Sequence, residues 1–158
     1  MSINKFHIVQ SKEELLNLYK SYYPIFSKIL YEIELTVNSI VQTPSVPTIK
    51  TRIKSFDSYY RKIIRLQPES LNKTEFPVLT DLIAMRIICP FLDDLTVVEQ
   101  NLKNSFTILE VERKGAERSF SEFGYESIHI LIEIPQKIKE SVPENRFPDG
   151  LICEIQVR

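Results

Sequence analysis

A chain of 158 residues with 43% apolar and 26% charged side chains has the size and composition of one globular domain with a real core, not of a disordered segment. Twenty basic against 21 acidic residues give a formal net charge of −1, so no overall field draws the chain to nucleic acid or an anionic membrane, and no run approaches 18 consecutive apolar residues. The first residues lack the apolar run of a signal peptide, and Cys89 and Cys153 sit in apolar runs without metal-ligand spacing, so the expectation is a soluble, cytoplasmic domain with two buried thiols.

Residues 11–41 read as helix, opened by Ser11 and Glu14 at capping-box spacing. Pro24 is expected to divide it, and Ile25, Ile29, Ile33 and Val37 form an apolar stripe. Pro44 and Pro47 mark a short linker. Ile49, Thr51 and Ile53 then alternate with Lys50, Arg52 and Lys54, a strand with one basic face. Ser55 can cap a helix running to Leu66, on which Ser58 and Lys62 are i, i+4 neighbours. Asp81 leads into a strand over 83–89, and an amphipathic helix spans 93–103. Strands are expected at 106–111 and 128–134, the latter with Ile128, Ile130, Ile132 and Ile134 on one face and His129 and Glu133 on the other. Residues 135–150, with three prolines, suggest a long exposed connection, and 151–158 form a last strand. Its Leu151, Cys153, Ile155 and Val157 face one way, and Ile152, Glu154, Gln156 and Arg158 the other. The expected fold class is α+β (or α/β): a mixed sheet of about five strands flanked by helices, with a helical segment 1–47 ahead of a sheet core 48–158.

Gly115, Gly124 and Gly150 are the only glycines, which excludes a Walker A loop and a Gly-x-Gly-x-x-Gly turn. Phosphate binding would therefore fall to side chains. Residues 48–65 carry Lys50, Arg52, Lys54, Arg61, Lys62 and Arg65 against a single acid, Asp57: a polyphosphate site or a solvated basic face. Asp81 and Glu154 lie in apolar surroundings, where a carboxylate needs a partner. That partner is a divalent metal beside substrate phosphates, or structural ion pairs of Asp81 with a nearby lysine and of Glu154 with Arg86 or Arg158. Gly124-Tyr125 can present a ring to a nucleobase, and His129 is either a donor facing a site or a satisfied core histidine.

Four stretches carry a resemblance. Arg52-Ile-Lys54 with Ser58 and Lys62, Asp81-Leu-Ile-Ala-Met-Arg86-Ile, Gly124-Tyr125-Glu-Ser127-Ile-His129 and Glu154-Ile-Gln156-Val-Arg158 resemble, in this order, the motifs of the synthetase domain of the RelA/SpoT family. The resemblance implies a nucleotidyltransferase-like fold and GTP pyrophosphokinase activity: transfer of pyrophosphate from ATP to the ribose 3′-hydroxyl of GDP or GTP, making the stringent-response alarmone (p)ppGpp. By position, Arg52, Lys54, Ser58 and Lys62 would hold ATP phosphates, with Arg86 near the adenine. Asp81 and Glu154 would be catalytic and bind Mg²⁺, Glu154 also activating the 3′-hydroxyl. Tyr125 would stack on the acceptor base, and His129, Gln156, Arg158 and Lys114 would contact the acceptor.

Lys114 is followed by Gly115-Ala116-Glu117 where family members often carry Lys-Asp-Tyr-Ile, and Ser121-Glu122-Phe123 precede Gly124. The pattern is similar to small single-domain and toxin-type members, so adenine nucleotides or the tRNA 3′ end stay open as acceptors, as does a catalytically silent nucleotide-binding module. Homo-oligomers are compatible with the resemblance; membrane association is not expected, nor nucleic acid apart from tRNA. Family members usually continue beyond the position of Arg158 into a further helix, so the expectation is either a chain truncated after its last motif or an unusually short member.

Overall fold

The computed structural model describes residues 11–115, 126–143 and 146–158. Ser11 opens the first helix, α1 (Lys12–Ile40), through a full capping box: its hydroxyl accepts the Glu14 N–H at 3.1 Å, and the Glu14 carboxylate accepts the Ser11 N–H at 2.8 Å. Pro24 does not divide this helix, contrary to the sequence expectation. Proline removes one N–H and crowds the preceding turn, at a cost of about 3 kcal/mol in an open helix. Here Leu15 and Tyr19 before it, and Phe26, Ile29, Leu30, Ile33 and Val37 after it, are buried in one core, and that packing keeps the helix continuous through the proline. Ile25 of the expected stripe is only partly buried.

The strands β1 (Thr48–Ile53), β2 (Ile83–Ile88), β3 (Ile108–Lys114), β4 (Ser127–Glu133) and β5 (Ile152–Val157) form one sheet in the order β1-β2-β5-β4-β3. The β2–β5 pair is parallel and the other three pairs are antiparallel, the mixed sheet that the sequence suggested. Strand alternation then divides the faces. Ile83, Met85 and Ile87 of β2, Cys153, Ile155 and Val157 of β5, and Ile128, Ile130 and Ile132 of β4 share the core with α1, α2 (Phe56–Leu66) and α3 (Leu92–Ser105). Burying each such aliphatic side chain contributes about 1.5–3 kcal/mol.

The opposite face of the same strands carries Arg86, His129, Glu154 and Gln156, each partly open, beside Leu131 and the buried Ala84. The expected exposed connection 135–150 is also corrected in part. It holds the short helix α4 (Gln136–Glu140), and Ile138 and Val142 are buried against the core, because apolar residues between its prolines have a face to cover. Of the two thiols, Cys153 is buried and Cys89 only half-buried; burial pushes both upward in pKa. No helix among the described residues is long and apolar enough to cross a membrane.

Candidate functional site

The open face of the sheet gathers most of the motif residues. Cross-strand register sets Lys50 of β1 against Arg86 of β2, Arg86 against Gln156 of β5, and Gln156 against His129 of β4; one step along, Arg52, Ala84, Glu154 and Leu131 form a second row. Gln156 bridges the first row to the second. Its Oε1 accepts from Arg86 at 3.3 and 3.4 Å, and its Nε2 donates to Glu154 Oε2 at 3.1 Å. Glu154 Oε1 lies 3.0 Å from His129 Nδ1, and His129 Nε2 lies 3.1 Å from Ser127 Oγ. Both oxygens of Glu154 are thus engaged, by His129 and Gln156, while the Arg86 guanidinium reaches Gln156. His129 is a site-facing histidine, not a core one.

Asp81 stands just ahead of β2. Lys54, at the end of β1, places Nζ 2.7 Å from Oδ2, and Lys62, one helical turn beyond Ser58 on α2, places Nζ 2.9 Å from Oδ1. All three side chains are largely buried, with 13%, 24% and 15% of the Lys54, Lys62 and Asp81 surfaces exposed. Burial alone would push the Asp81 carboxyl up; the close ammonium groups of Lys54 and Lys62 outweigh it and hold the group below the usual carboxylate range. The pairing of Asp81 with a nearby lysine, one of the two alternatives in the sequence, is therefore present. Oδ1 nonetheless receives no well-directed hydrogen bond, although it is closed to solvent.

Three depressions line this face. One of about 270 Å³ has Lys50, Arg52, Arg86 and Gln156 over a floor of Ala84 and Met85. A second, of about 320 Å³, is walled by Lys54, Ser58, Arg61, Lys62 and Arg65. The third, about 170 Å³, is lined by Thr80, His129, Leu131, Glu154, Glu110 and Glu112. A larger cavity of about 590 Å³ between α4 and Phe147 holds none of the motif residues. Lys114 is half exposed at the end of β3, with Nζ 3.6 Å from Glu112. Arg158 continues the alternation of Glu154 and Gln156, and its backbone bonds to Ile87 and Cys89. Tyr125 lies outside the described residues.

Two tyrosines that the motifs do not mark support this geometry. Tyr19 of α1 donates its hydroxyl to the Lys54 carbonyl at 2.7 Å, and the fully buried Tyr59 of α2 donates to the Pro77 carbonyl at 2.6 Å. The first fixes the segment carrying Lys54, the second the loop leading to Asp81. A separation of 35 residues left no sequence signal for the Tyr19 contact. Glu110 and Glu112 were also missed, although their i, i+2 spacing in a strand puts both on one face.

A divalent cation fits these donors. Asp81 offers a hard, buried oxygen without a directed hydrogen bond, and Thr80, its chain neighbour, lines the same depression as Glu154. Among the described residues no three His, Cys, Asp or Glu side chains converge as a self-sufficient metal cage. A hard divalent cation can be held by one or two carboxylates and completed by water and phosphate oxygens.

Comparison with known proteins matches residues 51–158 to the model of the region found in RelA/SpoT proteins. The chain is 31% identical over 109 residues to the GTP pyrophosphokinase YwaC of Bacillus subtilis, covering 69% of this chain and 49% of that protein. It is 30% identical over 109 residues to the GTP pyrophosphokinase YjbM of the same organism, covering 68% and 46%. The chain spans about half the length of these curated relatives. Among solved structures, small alarmone synthetase 1 from Bacillus subtilis bound to pppGpp superposes with a TM-score of 0.66 at 20% identity, over 90% of this chain and 74% of that one. The same protein bound to AMPCPP gives 0.60 at 19%, over 89% and 69%. At that identity the likeness establishes a shared fold.

Proposed function

The chain belongs to the RelA/SpoT family, and we propose that its open sheet face transfers pyrophosphate from ATP to the 3′-hydroxyl of GDP or GTP, yielding (p)ppGpp. The observation that carries this reading is the convergence of Asp81, Lys54, Lys62, Arg86, His129, Glu154 and Gln156 from five separate segments onto one face and its rim. The relatives' activity, GTP pyrophosphokinase, and the pppGpp and AMPCPP bound in the neighbouring structures point the same way.

In this reading Arg52, Lys54, Ser58 and Lys62 hold the ATP phosphates, and Arg86 flanks the adenine. Glu154, oriented by His129 and Gln156, takes the proton of the acceptor 3′-hydroxyl. The 3′-oxygen bonds to the β-phosphorus of ATP, the bond from that phosphorus to the α,β-bridging oxygen breaks, and AMP leaves with the bridging oxygen. Mg²⁺ held by Asp81 and Glu154 would neutralise charge on the phosphate oxygens. Tyr125 stacks on the acceptor base, and Arg158 and Lys114 assist on the acceptor side. The family's chemistry needs no glycine-rich loop, which accords with three glycines in the chain.

One observation favours keeping a second acceptor class in the assay. Among the described residues, Glu110 and Glu112 line the depression beside Glu154 and Lys114 is close to Glu112, so acidic side chains wall this side of the site. The experiment is transfer of label from γ-labelled ATP in Mg²⁺, with GDP, GTP, ADP, ATP and deacylated tRNA as parallel acceptors. Label on GDP or GTP is expected; label on ADP, ATP or tRNA would move the assignment to that other class. Glu154→Gln should retain ATP binding and lose turnover by a factor of about 10²–10⁴. Undiminished transfer would remove Glu154 from the chemistry.

A further inference from the structure

Ser127, His129 and Glu154 form one hydrogen-bonded chain. Ser127 and His129 are i, i+2 neighbours on β4, so they share a face of the sheet, and Glu154 meets the ring from the adjacent β5. Ser127 Oγ lies 3.1 Å from His129 Nε2, and Glu154 Oε1 lies 3.0 Å from Nδ1. We propose that Ser127 is a positioning residue for the reaction. Its hydroxyl donates to Nε2, which keeps His129 as the Nδ1–H tautomer and so holds the Glu154 carboxylate in line for the acceptor hydroxyl. The inference rests on the reading above only in taking Glu154 as the base.

The direction of the chain follows from its two ends. An ionised carboxylate only accepts, so Nδ1 must carry the hydrogen that Oε1 receives. In a neutral ring Nε2 is then a bare lone pair, and the group facing it is a hydroxyl that can donate. The two bonds run the same way, from Oγ to Nε2 and from Nδ1 to Oε1, and each polarises the next. Serine, histidine and an acid in this order also make up a hydrolytic triad, but access is reversed here. Ser127 is only 4% exposed, whereas His129 and Glu154 line the depression on the open face. The buried hydroxyl is therefore the anchor and the carboxylate the working end. Without that hydroxyl, Nε2 loses its donor and the ring loses one of the two contacts that fix its rotation, so Glu154 is left with a partner that can turn away.

The test combines ¹⁵N NMR of the histidine rings with kinetics on the whole chain, for the wild type, Ser127→Ala and Ser127→Thr. The chain has two histidines, so the His129 signals are assigned by comparison with His7→Gln. In mildly alkaline buffer the wild type should show a protonated Nδ1 and an unprotonated Nε2, the latter shifted upfield by the hydrogen bond it accepts. Ser127→Ala should move Nε2 downfield by several ppm. It should also lower kcat about tenfold, the scale for losing a group that orients a functional carboxylate, with little change in KM for ATP or acceptor. Ser127→Thr, which keeps the hydroxyl, should restore the shift and most of the rate.

A wild-type His129 protonated at Nε2, or at both nitrogens, would overturn the proposal, and so would an undiminished kcat in Ser127→Ala. Should the variants fail to fold, as judged by their urea midpoints, the wild-type spectrum still decides. A wild type that transfers to no acceptor would overturn the enzymatic reading and the positioning role with it, whereas the wrong tautomer in an active enzyme would sink the role of Ser127 alone.

Discussion

Glu154 is held at both oxygens, by His129 at 3.0 Å and by Gln156 at 3.1 Å, so its carboxylate has one orientation over the open face. A base that must meet an incoming hydroxyl gains from such fixation, since a misplaced carboxylate forfeits the aligned geometry that makes proton transfer fast. Truncation of His129 to alanine should therefore lower kcat by about 10- to 100-fold and leave the KM for ATP near its starting value, the usual scale for losing a group that orients a functional carboxylate. Initial rates with ATP and GDP varied separately would check this. A raised KM for the acceptor with kcat unchanged would instead make His129 a substrate contact. Alternation alone put Glu154, Gln156 and His129 on exposed-face positions, so their common side was legible in the sequence. That His129 would partner Glu154 was not, because it depends on the β4–β5 register, in which His129 faces Gln156 and Leu131 faces Glu154. Register across a long connection is a tertiary fact that local pattern does not encode.

At the scale of the elements, most strands and helices were readable because their periods were clean. The alternation at 49–53 became β1, and the run after Ser55 became α2 up to Leu66 as expected. The sequence misled where local signals oppose packing, as at Pro24 inside α1 and in the prolines around α4. It was silent on why α1 matters to the site. Tyr19 packs against Phe56 and Tyr59 at centroid distances of 5.5 and 5.8 Å, and its hydroxyl caps the Lys54 carbonyl. Tyr59 stacks on Phe76 at 5.3 Å and ties α2 to Pro77. Aromatic contacts thus connect α1, α2 and the loop before Asp81, the segments that set the Lys54–Asp81–Lys62 geometry. Tyr59→Phe keeps the ring and leaves the Pro77 carbonyl without its donor, and should reduce stability by about 1–3 kcal/mol in urea denaturation. Tyr19→Phe should raise the KM for ATP severalfold with little change in kcat, because it loosens the turn proposed to bind phosphate and not Glu154. Equal losses in both parameters would show that the hydroxyl does more than position Lys54.

Across the whole molecule, a net charge of −1 conceals a polarised face, cationic along β1, α2 and Arg86 and acidic around Glu110, Glu112 and Glu154. The basic half was visible in the composition of 48–65, whereas the acidic half needed the folded β3–β4 pairing. The same separation of charge sets the acid limit of the fold. Among the described residues two carboxylates lie below their usual range: Asp81, for the reasons given, and Glu99 of α3, where burial would raise the pKa but Lys103 at 2.7 Å and Arg113 at 2.6 Å prevail. A depressed folded value means that, as pH falls, the unfolded chain takes up these protons first. Stability from both groups is complete above their unfolded values of about 4 and is lost as pH falls through the folded values. Glu99 has no part in the proposed chemistry, so it isolates this effect from function. Glu99→Gln should be less stable than the wild type at pH 7, since Arg113 and Lys103 lose their buried counter-charge, and the deficit should shrink as pH falls below 4. Thermal midpoints between pH 7 and pH 3 would show the two curves converging. Curves that stay parallel would mean that Glu99 contributes through packing and hydrogen bonding but not through its charge.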